Sequence, residues 1–510
     1  MSNVENLLTE KEFKKIFSNE NIYNLLRQNI VSYPLIYYFM RYFLSWRVYI
    51  QNISSCKETI SHTKSLNIIL FMLKSLLKNI ENSNKDLDIL FISRNRFFKL
   101  KVSDSKDYKS DYLFGNVIRC MKDKYPMYKT LFISTSPEKM PVIDDINLYS
   151  VFEYANIITF IKSFFLSAYF FIQWQLRSFF ILNFLDKNNF NYMMPLFRKF
   201  FSFGNLFYTI FSDNCLQNIL KDKKPRLIVA NDDIMFLKPQ SDFSTKLIIM
   251  QSAYIEKDFE KFKKLYISNF VSDKYKPEFF LVTGQKYFNI KKDTYDSKKI
   301  VVVGQPRYDL LYHADKIYKK ENFFKKYNID PAHKVILWTT QCHNMTNEEN
   351  VKNIKAIFRS IETIKNVTLV IKQHPDESII HTNRMIEYLN KYRINAMILP
   401  TDSDIYEQLY VCDLMITKNS TTAIEALALG KPILVLNLSS EPDIIDYVEK
   451  KVALGVYREE DLEISIRKLL NNDIKLEKDR EYYIYDSLYK IDGLSSNRVL
   501  QIIENVLEYS

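Results

Sequence analysis

The feature that most constrains the fold is a regular alternation of short apolar runs and helical periodicity in the second half of the chain. The runs carry few polar residues, which is typical of parallel strands that are covered on both faces. The predicted strands are 334–338, 367–372, 396–399, 413–417 and 432–436, and the predicted helices are about 346–364, 381–392, 404–410, 420–429 and 442–450. This alternation predicts a doubly wound parallel sheet.

Apolar runs of the same kind occur in the first half of the chain. They predict strands at 88–93, 129–134, 226–230, 246–250, 278–282 and 299–303. Two such sheets in tandem predict an α/β fold in which two Rossmann-like doubly wound domains face a cleft, with N-terminal and inserted helices. Because parallel sheets bind ligands at the carboxyl ends of their strands, functional residues are expected directly after strands.

A chain of 510 residues is long enough for two or three domains. The patterns predict a helical segment at 1–80 and a first Rossmann-like domain at 81–312. That domain carries a helical insert at about 146–220. A second Rossmann-like domain is predicted at 313–475, and a helical tail at 476–510.

The formal net charge of +11 is compatible with a nucleic acid, an anionic membrane surface or a phosphorylated substrate as partner. The basic residues are scattered, and no nucleic-acid-binding motif is present, so nucleic acid is not expected. The five cysteines lie far apart and form no CxxC pair, which indicates a reducing compartment and argues against disulfides or a zinc site.

The N-terminus and two apolar runs are the places where this sequence could carry a signal peptide or a membrane-spanning helix. The N-terminus carries early acidic residues and no apolar core, so it does not resemble a signal peptide. The uncharged runs 28–40 and 163–176 are shorter than the roughly 18–20 residues of a spanning helix. They predict core or interfacial helices, and peripheral contact with an anionic membrane is one reading of them.

The segment 413–437 carries the strongest chemical signal. A strand leads into a polar loop that contains Asn419, Ser420, Thr421 and Thr422, and a helix follows. Free N–H groups and the helix dipole at such a start favour an anion such as a diphosphate. Glu425, one turn into the helix, is placed to reach ribose hydroxyls. The alternative is ordinary N-capping by Ser or Thr.

Three further segments place polar residues after strands. Lys372 and His374 follow one strand, where a cation and an imidazole suit phosphate binding or leaving-group stabilisation. Arg307 follows the last strand of the first domain, where an anionic donor could meet it. Thr339 follows the first strand of the second domain. The structural alternatives are a surface or core histidine at 374 and a turn with a surface arginine at 307, and the signal at Thr339 is the weakest of the three.

Together these segments resemble the glycosyltransferase-B superfamily, and most of all its bacterial surface-polymer branch. That branch contains CDP-glycerol glycerophosphotransferases and capsule or lipopolysaccharide glycosyltransferases, and the sugar-nucleotide 2-epimerases share its architecture. The resemblance covers about 225–475 and rests on the motifs GQPRYD (304–309), KQHP (372–375) and EALALGKP (425–432). It implies that His374, Ser420 and Thr421 bind the donor phosphates and that Glu425 binds the ribose.

The chain departs from this pattern in one place. Many members carry a His-Gly pair after a first-domain strand, whereas the equivalent stretch here is 250–254, which has no histidine. Asp232, Asp233 and Glu256 are the candidates to replace that base, since a carboxylate of suitable pKa can serve in an inverting transfer. The alternatives are that residues 231–233 form only a turn, that no base is needed, or that activity is lost.

The sequence thus predicts a glycosyltransferase or polyol-phosphate transferase that acts on a surface glycan or lipid-linked acceptor. It is expected to use a nucleotide-activated donor, no further cofactor and no metal. We expect it in the cytoplasm, with possible peripheral contact at the inner face of the cell membrane. The alternatives are a non-catalytic scaffold or glycan-binding protein of the same fold and a sugar-nucleotide 2-epimerase.

Overall fold

The structure is a computed structural model, and its description covers a defined part of the chain. The described residues are 86–93, 97–103, 106–135, 142–143, 146–182, 197–231, 245–252, 277–341, 345–374, 377–439, 441–474, 476 and 479–508. The helical segment predicted at 1–80 lies outside them.

The described strands are numbered in chain order. They are β1 (Ile89–Ser93), β2 (Phe97–Ser103), β3 (Lys106–Asp111), β4 (Thr130–Ser134), β5 (Val142–Ile143), β6 (Ile146–Ser150), β7 (Leu227–Asn231), β8 (Lys246–Met250), β9 (Phe279–Val282), β10 (Ile300–Val302), β11 (Lys334–Thr339), β12 (Val367–Lys372), β13 (Ala396–Leu399), β14 (Leu414–Thr417), β15 (Ile433–Leu436) and β16 (Leu454–Val456).

The described α-helices follow the same convention. They are α1 (Gly115–Lys124), α2 (Ile157–Leu182), α3 (Phe203–Lys223), α4 (Gln285–Lys291), α5 (Asp309–Tyr312), α6 (Ala314–Ile317), α7 (Lys320–Tyr327), α8 (Asn347–Glu362), α9 (Ile379–Leu389), α10 (Ile405–Val411), α11 (Thr422–Ala428), α12 (Leu462–Leu470), α13 (Arg480–Leu488) and α14 (Ser495–Glu508).

The first sheet has eight strands in the order β10-β9-β8-β7-β1-β4-β6-β5. Its neighbours pair in parallel, except that β5 runs antiparallel to β6. The chain moves outward from β1 in one direction through β4 and β6, and in the other direction through β7 to β10. The direction therefore changes between β1 and β7, which is where a doubly wound sheet opens a crevice.

The second sheet has six strands in the order β13-β12-β11-β14-β15-β16, all parallel. Its direction changes between β11 and β14. Both faces of this sheet are covered by apolar clusters, which accounts for the continuous apolar character of its strands. The predicted fold class, two parallel-sheet Rossmann-like domains, is confirmed, whereas the predicted domain bounds stay predictions.

The C-terminal helix returns to the first domain. Val499, Leu500 and Ile503 of α14 are buried in the same cluster as strands β1 and β7. The chain therefore crosses between the domains twice, at 303–319 and again at 489–494. The two crossings are bonded side by side, because both oxygens of Asp309 accept backbone N–H groups of α14 at 2.8 Å.

Most predicted strands form within one or two residues of their expected bounds, but three segments differ. The helix predicted at 442–450 is a series of turns. The region predicted to be helical from about 146 begins with strand β6. The helix predicted at 420–429 is reduced to the seven residues of α11. The hairpin β2–β3 and the edge strand β16 were not predicted.

Helix α2 is longer than the apolar run in the sequence suggested. The run 163–176 stops at Lys162, but the helix continues through that lysine and spans 26 residues. By length and composition alone, Ile157–Leu176 is long and apolar enough to cross a membrane, and 28% of its most apolar stretch is buried. The count of consecutive uncharged residues therefore underestimated the length of this helix.

Candidate functional site

Three loops meet at the carboxyl edge of the second sheet. They are residues 339–341 after β11, 372–374 after β12 and 418–421 after β14, and we call them the edge-loop cluster. The backbone N–H of His374 donates to the hydroxyl of Thr340 at 3.3 Å, and the N–H of Asn419 donates to Oε1 of Gln341 at 2.7 Å. These bonds join the three segments that the sequence singled out, and they do so at the point where the strand order changes direction.

The loop that starts α11 is held at Ser420. The hydroxyl of Ser420 accepts the N–H of Thr422 at 3.1 Å, and its carbonyl accepts the hydroxyl of Tyr447 at 3.1 Å. The N-cap residue itself is Thr421, whose side chain makes no capping hydrogen bond. Thr421 is exposed and Thr422 is half-buried. Asn419 keeps a buried side-chain oxygen that accepts no hydrogen bond.

Lys372 brings a desolvated cation to this edge. Its ammonium donates to the carbonyl of Thr401 at 2.7 Å and is buried, and this burial lowers its pKa to about 8. His374 is half-buried beside it. Thr339 is buried, and its hydroxyl has no hydrogen-bond partner. Contacts to the neighbouring loops are made instead by Thr340 and Gln341.

Arg307 and Glu425 form a buried ion pair between the domains. Nη2 of Arg307 lies 3.0 Å from Oε1 of Glu425, and both side chains are 6% exposed. The hydroxyl of Tyr308 donates to the same oxygen at 2.9 Å and contacts the guanidinium. The guanidinium also stacks on the ring of Tyr112, 3.7 Å from its centroid. Burial raises the pKa of the Glu425 carboxyl, and the Arg307 charge opposes that rise.

Two residues predicted to contact the donor thus contact each other. One carboxylate oxygen of Glu425 is engaged by Arg307 and Tyr308, and its contact with a ribose stays a prediction. The rest of the GQPRYD motif also has structural partners. Asp309 caps α14, and Gly304 adopts a φ of +82°, where an added Cβ would lie 2.5 Å from the Ser495 hydroxyl.

A cavity of about 90 Å³ lies at the domain junction. Two of the predicted donor-binding residues, Arg307 and Thr421, line it, together with Gln251 and Thr283 from the first sheet. The cavity is too small for a nucleotide, which requires several hundred Å³. The structure therefore shows the two domains packed closely at this point.

The residues that end or follow the first-sheet strands are neutral where they are described: Ser93, Ser134, Asn231, Gln251, Ser252 and Thr283. Asn231 lies where the sheet changes direction; it is fully buried, and neither side-chain amide atom has a partner. The predicted catalytic residues Asp232, Asp233 and Glu256 lie outside the described residues. Their role as a base stays a prediction.

In the described part of the chain, no group of three or more His, Cys, Asp or Glu side chains is placed so that it could hold a metal ion. The expectation that the protein uses neither a metal nor a cofactor stays a prediction.

Sequence reasoning missed several residues that organise the site. Thr340 and Gln341 directly follow β11. Their position one and two residues beyond the end of a strand was the signal that could have identified them as site residues. Tyr308 stood inside GQPRYD, but a tyrosine that bonds a carboxylate 117 residues later leaves no local signal. Tyr447 lay in a segment predicted to be a helix, so its contact with Ser420 was not expected.

Comparison with known proteins adds a family match. Residues 278–504 match the family model of UDP-N-acetylglucosamine 2-epimerase. No curated protein matches the chain significantly.

Similar solved structures include the wall teichoic acid polymerase TagF, at 14% identity and a TM-score of 0.48, with 88% of this chain and 97% of that chain covered. A putative UDP-N-acetylglucosamine 2-epimerase from Listeria monocytogenes has 13% identity and a TM-score of 0.49, with 83% and 98% covered. The UDP-GlcNAc 2-epimerase from Neisseria meningitidis, bound to UDP-GlcNAc, has 14% identity and a TM-score of 0.49, with 83% and 100% covered.

The family match spans strands β9 to β16 and includes all three loops of the edge-loop cluster. It therefore contains every segment on which the sequence-based resemblance rested. Residues 278–504 carry the sequence pattern of the UDP-N-acetylglucosamine 2-epimerase family, which confirms the predicted relation of this chain to the glycosyltransferase-B-like superfamily.

Proposed function

We propose that this protein is an enzyme of nucleotide-linked sugars or polyols. In this proposal it transfers a sugar, or a polyol phosphate, from a nucleotide-activated donor to a surface glycan or lipid-linked acceptor. The observation that carries the proposal is the edge-loop cluster, in which three polar loops meet at the switch point of a sheet that lies within the family match. Doubly wound sheets bind nucleotides at such a point.

In the proposed mode, the second domain holds the donor. The exposed Thr421 and the half-buried His374 supply hydrogen bonds to the diphosphate, and Lys372 supplies positive charge. Because Lys372 is desolvated, an incoming phosphate is stabilised more strongly than it would be by a solvated lysine. The leaving nucleotide diphosphate is stabilised by the same groups as its charge develops.

A second candidate function is 2-epimerisation of a nucleotide sugar, and the family match favours it. An epimerase must remove and replace a proton at a sugar carbon, which requires acid and base side chains in the cleft. At the end of β1, the hydroxyl of Ser93 donates to the buried carboxylate of Asp111 at 2.6 Å. We rank transfer above epimerisation because the motifs resemble the surface-polymer branch most closely.

The acceptor and the location follow the same proposal. The acceptor is a growing capsule, lipopolysaccharide or related envelope glycan, and the first domain binds it. The protein acts in the cytoplasm at the inner face of the cell membrane. These statements rest on the resemblance given above, and the donor assay below does not depend on them.

The first test is calorimetric binding of UDP, CDP, GDP and CMP to the full chain. We expect one nucleotide to bind, and the double variant His374→Ala, Thr421→Ala to weaken that binding at least tenfold. A matched control is His333→Ala, Thr363→Ala, since His333 lies at the opposite edge of the same sheet. If no nucleotide binds to correctly folded protein, the enzymatic proposal is wrong and a non-catalytic scaffold replaces it.

Products distinguish the two enzymatic candidates. Incubation with UDP-N-acetylglucosamine alone tests epimerisation, because a 2-epimerase converts this sugar to the manno isomer without an acceptor. A transferase consumes its donor at a high rate only when an acceptor is present. Formation of the manno isomer would reverse our ranking.

A further inference from the structure

Helix α2 exposes large apolar side chains along most of its length. Its buried side carries Thr159, Ser163 and Ser167, at 6%, 0% and 0% exposure, and then Phe170 and Trp174, at 1% and 2%. Its outer side carries large apolar residues at high exposure: Ile157, Ile158, Ile161, Phe164, Phe165, Tyr169, Ile172 and Leu176, each between 44% and 74%. A surface helix of a soluble protein turns polar and charged residues outward instead.

The buried hydroxyls are fixed by helix α3. The side-chain amide of Asn214 donates to the hydroxyl of Ser163 at 2.8 Å, and that of Asn218 donates to the hydroxyl of Thr159 at 2.8 Å. Trp174, further along the same side, stacks on the ring of Phe201 with 4.5 Å between centroids. These specific contacts determine the orientation of α2, and they turn its apolar side outward.

The outward side forms one continuous stripe, which we call the α2 outer face (Ile157, Ile158, Ile161, Phe164, Phe165, Tyr169, Ile172 and Leu176). At 3.6 residues per turn, these positions lie within about 140° of the helix circumference. At 1.5 Å per residue, the stripe is roughly 30 Å long. An exposed apolar surface of this extent is rare on a monomeric soluble protein and marks a contact with a partner or a membrane.

We infer that the α2 outer face is a lipid-binding surface that inserts into the interfacial region of an anionic membrane. The charges around it favour lipid. From Ala155 to Leu182 the sequence holds Lys162 and Arg177 and no Asp or Glu. Exposed Arg198 and Lys199 lie on the turn whose Phe197 stacks on Trp174. A second copy would bring the same basic residues together, whereas anionic headgroups neutralise them.

The geometry corresponds to a helix that lies on the membrane. The buried side of α2 is hydrogen-bonded to α3. If α2 crossed the bilayer, the hydroxyls and asparagines of that contact would lie in hydrocarbon. Insertion of the outer face alone buries the apolar stripe and leaves the α2–α3 hydrogen bonds in the protein.

The test is sedimentation of the full chain with vesicles of phosphatidylcholine and phosphatidylglycerol at a 7:3 ratio, without donor or acceptor. The test variant is Phe165→Glu, Ile172→Glu, which places two charges on the outer face. The control variant is Met127→Glu, Ile464→Glu, two side chains that are 69% and 56% exposed elsewhere. Circular dichroism and thermal melting check that both variants fold.

We expect the wild type and the control to bind, and the partition coefficient of the test variant to fall at least tenfold. Binding should weaken with pure phosphatidylcholine vesicles and at high salt. The inference is overturned if the test variant binds as well as the wild type, or if the wild type does not bind. It is also overturned if the wild type is a dimer by sedimentation velocity and the test variant a monomer, since the face would then contact a second copy.

Discussion

At the scale of single residues, Arg307 and Glu425 form an ion pair in which both side chains are 6% exposed. Both side chains were predicted to face a donor, yet they neutralise each other at the domain junction. Burying two charges is costly, and the pair offsets this cost only while both partners are present. Loss of one partner alone would therefore leave an uncompensated charge buried at this junction.

We expect Glu425→Gln to lower the free energy of unfolding by about 3 kcal/mol or more, because it leaves a buried guanidinium without its counter-charge. The double variant Arg307→Met, Glu425→Leu should recover most of this loss, since it removes both charges. Urea denaturation measures the difference. Glu387→Gln is the control, because Glu387 is 64% exposed and should show no measurable change. A single variant as stable as the wild type would refute this account of the pair.

Lys372 leads to a prediction about pH. Its pKa of about 8 lies below the usual lysine value, so its positive charge is present below pH 8 and lost as the pH rises through 8. A nucleotide diphosphate keeps its charge over this range, because its last phosphate pKa is about 6. We expect the affinity for the nucleotide to fall about tenfold between pH 7 and pH 9. Lys372→Arg should give a flat profile, and a flat profile in the wild type would remove Lys372 from the donor site.

Among the elements, helices α4 and α13 make an unusually close contact. Gly284, the residue before α4, lies so near the end of α13 that an added Cβ would be 2.3 Å from the backbone of Asp486 and Ser487. Its φ of −155° is open to any residue, so space alone requires glycine here. The close contact that requires glycine here is therefore with the protein's own backbone.

We expect Gly284→Ala to destabilise the protein by about 1–3 kcal/mol, because the overlap is with backbone that cannot move aside. Gly204→Ala in α3 is the matched control. An added Cβ at Gly204 meets nothing within 4 Å, so helix propensity should make that change neutral or stabilising by up to about 1 kcal/mol. Thermal and urea denaturation compare the two, and equal effects would contradict the structure at this contact.

The sequence predicted the strands well because their signal is local. A buried parallel strand is a run of apolar residues, so β11 and β12 could be predicted from their own residues alone. The prediction of a helix at 442–450 was wrong. The spacing of the apolar residues fits a helix, but the segment forms turns, and tertiary contacts bury Ile445 and Tyr447. The pair of Arg307 with Glu425 could not be predicted, since neither residue carries a local sign of a partner 118 positions away.

For the whole molecule, the return of α14 to the first domain means that this domain is built from two separate parts of the chain, before and after the second domain. Its buried side chains, Val499, Leu500, Ile503, Val506 and Leu507, complete the core beneath the first sheet. Each contributes on the order of 1.5–3 kcal/mol by burial, so together they rival the total stability of a typical domain, about 5–15 kcal/mol. The first domain therefore depends on the last residues of the chain.

We expect a chain that ends after Asp492 to lose the folded first domain, although all of its strands are present. Limited proteolysis followed by mass spectrometry measures which half is protected. The second sheet, whose clusters contain no residue of α14, should stay the more resistant part. Equal protection of both halves would show that α14 is dispensable to the first domain.

The paired crossings at 303–319 and 489–494 also limit how the domains can move. Two bodies joined by one flexible connection keep three rotations, but two adjacent connections that are bonded together resist twisting and sliding. A rotation about the line that the crossings define is the motion that they would resist least. We expect such a rotation to keep the capping contact of Asp309 with α14, which joins the two crossings, and to part the ion pair of Arg307 with Glu425 across the junction.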